Sequence, residues 1–84
     1  MLNEKNILIT GGTGSFGKKF VETILSRYPS VNKIIIFSRD ELKQSEMRQE
    51  YPEKVYPQLR FFIGDVRDIN SIQYAIKGCN YIFH

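Results

Sequence analysis

Apolar residues recur along the chain in two alternating patterns. Short continuous runs rich in β-branched residues occupy positions 6–10, 33–37, 59–63 and 81–83, which is typical of strands that are buried on both faces. Between the first two runs, positions 15–28 carry an apolar residue every three or four places, the spacing of one face of a helix. That stripe consists of Phe16, Phe20, Val21, Ile24, Leu25 and Tyr28. The alternation predicts strands that are joined by helices.

Two further helices are predicted from composition and from end signals. Residues 40–51 are polar and rich in good helix formers, so they predict a helix that is largely solvated. Asp68 is typical of a helix N-cap and Gly78 of the residue that follows a helix, which predicts a short helix ending at Lys77. Residues 52–57 begin and end with proline and predict a linker.

The order of these elements predicts an α/β protein of the Rossmann type, with one parallel sheet and helices on both of its faces. Right-handed crossovers give the spatial strand order 3-2-1-4. A single domain accounts for residues 1–84. Because a doubly wound sheet normally continues past a fourth strand, we expect this sheet to be truncated after strand 4 and the chain to be part of a longer protein.

A glycine-rich segment follows the first strand directly. Gly11, Gly14 and Gly17 stand three residues apart between a predicted strand and a predicted helix. In parallel α/β proteins this arrangement forms the pocket for a dinucleotide pyrophosphate, because the glycines allow a tight turn, a close approach of the phosphates and close packing of the helix. The backbone N–H groups predicted to hold the pyrophosphate are those of Thr13, Gly14, Ser15 and Phe16.

The same segment also matches most of a P-loop, the phosphate-binding loop of nucleoside triphosphatases. Gly12, Gly17 and Lys18 occupy three of the positions that this motif requires. Lys19 stands where the motif needs serine or threonine to bind Mg²⁺, and a lysine does not ligate a cation. A nucleoside triphosphate is therefore the less favoured ligand.

The residues after the second strand bear on which dinucleotide binds. Ser38 and Arg39 follow the strand directly, and Lys43 lies about one helical turn further on. An arginine here favours the 2′-phosphate of NADP, since its guanidinium forms a forked pair with a phosphate. Asp40 and Glu41 come next, so NAD stays an alternative. The alternative for Arg39 itself is a surface ion pair with a glutamate of the next helix.

Asp65 and Val66 close the third strand. In the predicted strand order this strand ends beside the proposed nucleotide pocket. The Asp65 carboxylate is therefore a candidate acceptor for the adenine amino group, with Val66 beside the ring. The alternative is an aspartate that caps a local turn.

Composition excludes several other classes of function. The net charge is +3, and the basic residues are spread along the chain, so nucleic acid is not a predicted partner. The longest apolar run, residues 34–37, is too short to span a bilayer, so no membrane partner is predicted. Cys79 is the only cysteine, and the chain starts without a secretory leader, which together indicate the cytoplasm. Cys79 and the lone His84 are interpreted as structural residues, and no metal site is predicted.

Three segments together resemble the extended short-chain dehydrogenase/reductases, and most closely the inverting UDP-N-acetylglucosamine 4,6-dehydratases of the CapD-like polysaccharide biosynthesis group. The segments are Ile9-Thr10-Gly11-Gly12-Thr13-Gly14-Ser15-Phe16-Gly17, Ser38-Arg39-Asp40-Glu41-Leu42-Lys43-Gln44 and Phe62-Ile63-Gly64-Asp65-Val66-Arg67-Asp68. The first is shared widely, whereas the second is much more specific. The resemblance covers essentially the whole chain.

The resemblance implies the N-terminal part of an NADP-binding domain and a hydro-lyase. NADP⁺ would take a hydride from C4 of the sugar, water would leave across C5 and C6, and the hydride would return to C6 with inversion at C5. It also implies a UDP-sugar substrate, a homo-oligomer, and products used in surface polysaccharides or flagellin glycans. The residues it assigns to the cofactor are Thr13, Gly14, Ser15, Phe16, Ser38, Arg39, Asp40, Glu41, Leu42, Lys43, Asp65 and Val66.

No catalytic residue is identified in the chain. Reductases of this broad class use a tyrosine with a lysine four residues later, and none of the five tyrosines here has that partner. We therefore expect the isolated chain to bind cofactor without turnover. A related dehydratase that epimerises C5 and a non-catalytic NADP-sensing domain remain as alternatives.

Overall fold

The structure is a computed structural model, and it describes residues 1–11 and 13–83. The elements in chain order are β1 (Asn6–Thr10), α1 (Ser15–Arg27), β2 (Lys33–Ser38), α2 (Glu41–Glu50), β3 (Leu59–Ile63), α3 (Ile69–Ile76) and β4 (Tyr81–Phe83). The predicted elements are confirmed. The strands β1, β3 and β4 have the predicted bounds, and the observed ends that differ from the predicted ones, in α1, β2, α2 and α3, do so by one residue. For example, α1 stops before Tyr28, which leaves the helical conformation although its N–H still donates to the Ile24 carbonyl.

The four strands form one parallel sheet in the order β3-β2-β1-β4, which confirms the predicted topology. The order follows from two crossovers in one direction, β1 to β2 and β2 to β3, and one long return from β3 to β4 on the far side of β1. Since β1 lies inside the sheet, Ile7, Leu8 and Ile9 are all buried.

Alternate residues of β1, β2 and β3 face two separate cores. Ile7 and Ile9 of β1 pack in a cluster with Val21 and Ile24 of α1 and with residues of β2 and α2. Leu8, which points to the opposite face, packs with a smaller cluster that includes Phe37 and Ala75 of α3. Helices therefore cover both faces, as predicted, with α1 and α2 on one side and α3 on the other.

Two details differ from the predicted pattern. Phe16 is 83% exposed, although the helical spacing places it on the apolar stripe of α1. It lies in the first turn of the helix, and its ring stacks on Phe20. Helix α2 is solvated on most of its surface, but Met47 and Gln44 are fully buried. The Gln44 side chain donates to the carbonyls of Phe62 at 3.0 Å and Ser38 at 3.4 Å, so a polar residue connects the ends of β2 and β3.

Candidate nucleotide-binding site

The carboxyl ends of β1, β2 and β3 meet at one edge of the sheet, and two clefts open there. The first, of about 420 Å³, lies over the β1–α1 turn and is lined by Gly11, Gly14, Phe16 and neighbouring residues. The second, of about 480 Å³, lies between the ends of β2 and β3. Both clefts share Thr10 and Gly11 in their lining. The structure thus brings the three predicted segments to one continuous edge, the usual ligand position of an open α/β sheet.

The turn between β1 and α1 depends on the backbone of Gly11. This residue has φ +70°, a left-handed conformation that L side chains rarely adopt. Its N–H donates to the Phe37 carbonyl at 3.0 Å, and its own carbonyl accepts from the Gly14 N–H at 3.2 Å. No described atom lies within 4 Å of the place where a Cβ would stand. Glycine is needed here for conformation and not for space.

The N-terminus of α1 carries no internal cap. Gly14 is the N-cap residue in an extended conformation, and in the described part of the chain no side-chain cap accepts from the first N–H groups of the helix and the first turn holds no acidic residue. The first N–H groups of any α-helix lack partners within the helix. At α1 these groups, with the positive end of the helix dipole, are left for an external anion. Gly17, the third glycine, is buried on the inner side of the helix.

Thr13 and Ser38 connect this turn to the end of β2. Thr13 is 6% exposed, and its Oγ1 lies 3.4 Å from Ser38 Oγ. Ser38 Oγ also accepts from the N–H of Asp40 at 3.0 Å. The Ser38 hydroxyl therefore holds the β2–α2 loop against the β1–α1 turn.

Asp40 is the N-cap of α2, and its Oδ1 accepts from the Lys43 N–H at 2.9 Å. A carboxylate that could otherwise bind the ribose of NAD is thus engaged by its own helix. Glu41, Leu42 and Lys43 form the exposed first turn of α2. Of these three, Glu41 lines an open depression together with Ser38, Arg39 and Asp40, beside the second cleft.

The Asp65 carboxylate binds two arginines. Arg39 Nη1 lies 3.4 Å from Oδ2, so Arg39 pairs with Asp65 and not with a glutamate of α2. Arg67 Nη2 lies 2.9 Å from the same oxygen, and the Arg67 N–H donates to Oδ1 at 2.9 Å. Hydrogen bonds from the Arg67 side chain and backbone hold the pKa of the Asp65 carboxyl well below its ordinary value. Asp65 is an ionised acceptor at the cleft.

Gly64 is a site residue whose role the sequence did not indicate. A Cβ there would stand 2.8 Å from Cζ of the buried Phe37 ring, which also lines the second cleft. Glycine at position 64 therefore lets the β3–α3 turn lie against that ring. Val66, predicted to flank an adenine, is 42% exposed in the same lining.

The remaining candidates do not form a catalytic centre in the described part of the chain. The Cys79 thiol donates to the Ala75 carbonyl, and burial raises its pKa, which suits a packed thiol better than a nucleophile. Residues 1–11 and 13–83 contain no group of three or more His, Cys, Asp or Glu that could hold a metal ion. Gly12, the first residue of the P-loop pattern, and His84 lie outside the described residues.

Comparison with known proteins shows the family of this chain. Residues 7–84 match the family described as polysaccharide biosynthesis protein. The chain belongs to that family. It is 51% identical over its whole length to the inverting UDP-N-acetylglucosamine 4,6-dehydratase of Campylobacter jejuni and 46% identical to the UDP-glucose 4-epimerase of Rickettsia bellii. In both cases the chain spans 24% of the relative's length.

A solved structure gives a similar result. The crystal structure of dTDP-glucose 4,6-dehydratase from Bacillus anthracis in complex with NAD matches with a TM-score of 0.68 and 28% identity, covering 93% of this chain and 25% of that one. The resemblance to the inverting dehydratases and the Rossmann-type fold are thereby confirmed. None of the helices in the described residues has the length and apolar character needed to cross a membrane.

Proposed function

We propose that the chain is the N-terminal, cofactor-binding segment of a nucleotide-sugar 4,6-dehydratase that uses NADP. The observation that carries this proposal is the uncapped, glycine-based N-terminus of α1 at the shared edge of two clefts. The similarity to two dehydratases, one of them solved with NAD, supports a nicotinamide dinucleotide as the ligand of that edge. The whole activity belongs to the full-length protein.

Each part of the cofactor has a group on this chain that would hold it. The backbone N–H groups of residues 13–16 would bind the pyrophosphate at the start of α1. Asp65 would accept a hydrogen bond from the adenine amino group, with Val66 against the ring. When bound, the cofactor supplies a hydride acceptor that also returns the hydride, which suits a dehydration without net redox change.

Three observations support NADP over NAD. The Arg39 side chain is 67% exposed at the cleft mouth, and its contact with Asp65 is long at 3.4 Å, so the guanidinium is available to a phosphate. Lys43 lies on the exposed first turn of α2 and adds a second positive charge. Asp40 caps α2 and is therefore less suited to bind the ribose hydroxyls of NAD.

The proposed substrate is UDP-N-acetylglucosamine, with inversion at C5, on the similarity to the C. jejuni enzyme. The similarity to the R. bellii epimerase favours a second candidate, a UDP-sugar 4-epimerase with the same cofactor-binding segment. A dehydratase that epimerises C5 and a non-catalytic NADP sensor would also need a cofactor-binding segment of this kind.

Incubation of the full-length protein with UDP-N-acetylglucosamine in D₂O separates a dehydratase from the epimerase and from the sensor. A dehydratase gives a product lighter by one water that carries solvent deuterium at C5. An epimerase gives an isomer in which neither change has occurred. A sensor binds NADP and leaves the sugar unchanged, and either of the last two results would refute the proposed reaction.

A further inference from the structure

Arg67 makes a forked contact with the carboxylate of Asp65, two residues earlier. Its Nε lies 3.2 Å from each oxygen, and its Nη2 lies 2.9 Å from Oδ2. The Arg67 backbone N–H donates to Oδ1 at 2.9 Å. One residue therefore holds the carboxylate through both its side chain and its backbone, and this sets the plane of the carboxylate.

The fork is placed where it adds little to the stability of the fold. The Arg67 side chain is 77% exposed and that of Asp65 is 31% exposed. Exposed ion pairs contribute little to folding, because water and salt screen them. The consequence of this contact is therefore orientation: an arginine that holds the carboxylate in one pose at the lining of the second cleft.

Arg39 makes the weaker of the two contacts with Asp65. Its Nη1 lies 3.4 Å from Oδ2, against 2.9 Å for Arg67 Nη2. A phosphate that drew Arg39 away would leave Oδ2 held by Arg67 and open to another donor in the cleft. The forked arrangement is therefore the part that persists when a nucleotide is bound.

We propose that Arg67 is a positioning residue that orients the Asp65 carboxylate to accept from the 6-amino group of adenine. The inference rests on the proposed function, because it takes the second cleft as the adenine site. It adds a residue of the cleft lining that acts on specificity for the base through Asp65. Loss of the fork would leave Asp65 in place, with the backbone N–H of residue 67 still donating to Oδ1. The side chain would no longer set the plane of the carboxylate, so recognition of the amino group would weaken selectively.

The test compares two dinucleotides on the full-length protein. NADPH and its hypoxanthine analogue differ at the 6-position, where the analogue has a carbonyl and no amino donor. Titration of nicotinamide fluorescence gives both dissociation constants. We expect the wild type to bind NADPH about tenfold more tightly than the hypoxanthine analogue, or more, which is the usual effect of one hydrogen bond to a charged group. In the Arg67→Ala variant we expect the ratio of the two dissociation constants to fall to about twofold, mainly through weaker NADPH binding.

Two further variants make the result decisive. Arg67→Lys keeps the charge but lacks the planar fork, so the same fall in the ratio is expected. Lys54→Ala removes one positive charge from the exposed linker, away from the cleft, and should keep the wild-type ratio. The unfolding temperature should stay unchanged in all three variants.

The outcomes distinguish this inference from the proposed function. If the wild type binds neither dinucleotide, the proposed function fails. If it binds both equally, or if a folded Arg67 variant keeps the wild-type ratio, the inference fails while cofactor binding stands. An equal loss of both dinucleotides in the variant would also overturn it, because that pattern indicates a loop that has lost its structure.

Discussion

The β1–α1 turn and the β3–α3 turn lie at the same edge of the sheet and are built in opposite ways. Gly11 in the first turn has φ +70° and no described neighbour near its missing Cβ, whereas a Cβ at Gly64 in the second would meet the Phe37 ring at 2.8 Å. The N-cap residue of α1 is Gly14, and the described residues provide no side-chain cap there. The N-cap residue of α3 is Asp68, whose side chain accepts from the N–H groups at positions 70 and 71.

The difference shows which helix start is available to a ligand. At α3 the backbone donors are satisfied by the carboxylate of Asp68, which also accepts from the Ser71 hydroxyl at 3.1 Å. At α1 the corresponding donors have no such partner among the described residues. Two turns that each begin with a glycine after a strand thus have different roles: the first can bind an anion, and the second packs against the Phe37 ring.

Adding an N-cap carboxylate to α1, like that of Asp68 at α3, gives the largest expected effect. Gly14→Asp would place a capping carboxylate where the pyrophosphate should lie. The backbone at Gly14 is extended, and among the described residues other than its chain neighbours an added Cβ would meet the Gly11 carbonyl oxygen at an ordinary 3.7 Å, so the variant should fold. We expect NADP binding to weaken by several kcal/mol, or more than about 100-fold, because like charges would meet at the helix start. Calorimetric titration of the full-length protein measures this.

Gly14→Asn is the matched control, since asparagine caps a helix about as well as aspartate but carries no charge. Both variants should raise the free energy of unfolding slightly, and the asparagine variant should lose less affinity. If Gly14→Asp bound NADP as tightly as the wild type, the start of α1 would not be the pyrophosphate site.

Arg39→Ala sharpens the comparison by removing a side-chain contact while leaving the backbone donors of α1 intact. We expect NADP to bind about 2–3 kcal/mol more weakly and NAD almost unchanged, as for the loss of charged hydrogen bonds to one phosphate. Parallel titrations with the two dinucleotides give the ratio. Arg27→Ala, at the far end of α1, is the control for lost positive charge. Equal losses of both cofactors would refute the assignment of Arg39 to the 2′-phosphate.

Gly64→Ala tests the role of space in the second turn. The added methyl group would require the buried Phe37 ring to move, and overpacking of this kind costs about 1–3 kcal/mol. We expect a lower midpoint in urea unfolding. Combining it with Phe37→Leu, which removes the obstructing end of the ring, should recover part of the loss caused by the alanine. A Gly64→Ala variant as stable as the wild type would show that the ring is free to shift.

Asp68→Ala gives the smallest effect and should act on stability alone. Loss of an N-cap costs about 1 kcal/mol, and α3 is a short helix of eight residues. The dissociation constant for NADP should be unchanged, since the start of α3 is closed in the native protein. Asp68→Asn should keep most of the stability. A marked loss of cofactor affinity in Asp68→Ala would contradict the division of roles between the two turns.

The strand order and most element boundaries are predictable from the sequence, because they depend on local patterns. Four apolar runs, a glycine after the first, and crossovers of one hand are enough to give the sheet observed. The Asp68 cap and the left-handed Gly78 are also local signals that the structure confirms. The three segments of the site meet because the carboxyl ends of parallel strands share an edge.

The features that the sequence does not predict depend on contacts between distant parts of the chain. The sequence does not show that Gly64 lies against the Phe37 ring, since 27 residues separate them. Gln44 looks like one more polar residue of a solvated helix until its amide is seen to contact the ends of β2 and β3. The position of Arg67, two residues after the proposed adenine-binding aspartate, is visible in the sequence. Its forked contact with that aspartate is not, because the contact depends on the conformation of the turn.

A crystal structure of the full-length protein with NADP⁺ tests the central claim most directly. We expect the diphosphate oxygens to lie within about 3.2 Å of the backbone nitrogens of residues 13–16, and the 2′-phosphate to contact Arg39. A cofactor bound at another place, with the β1–α1 turn unoccupied, would contradict the account.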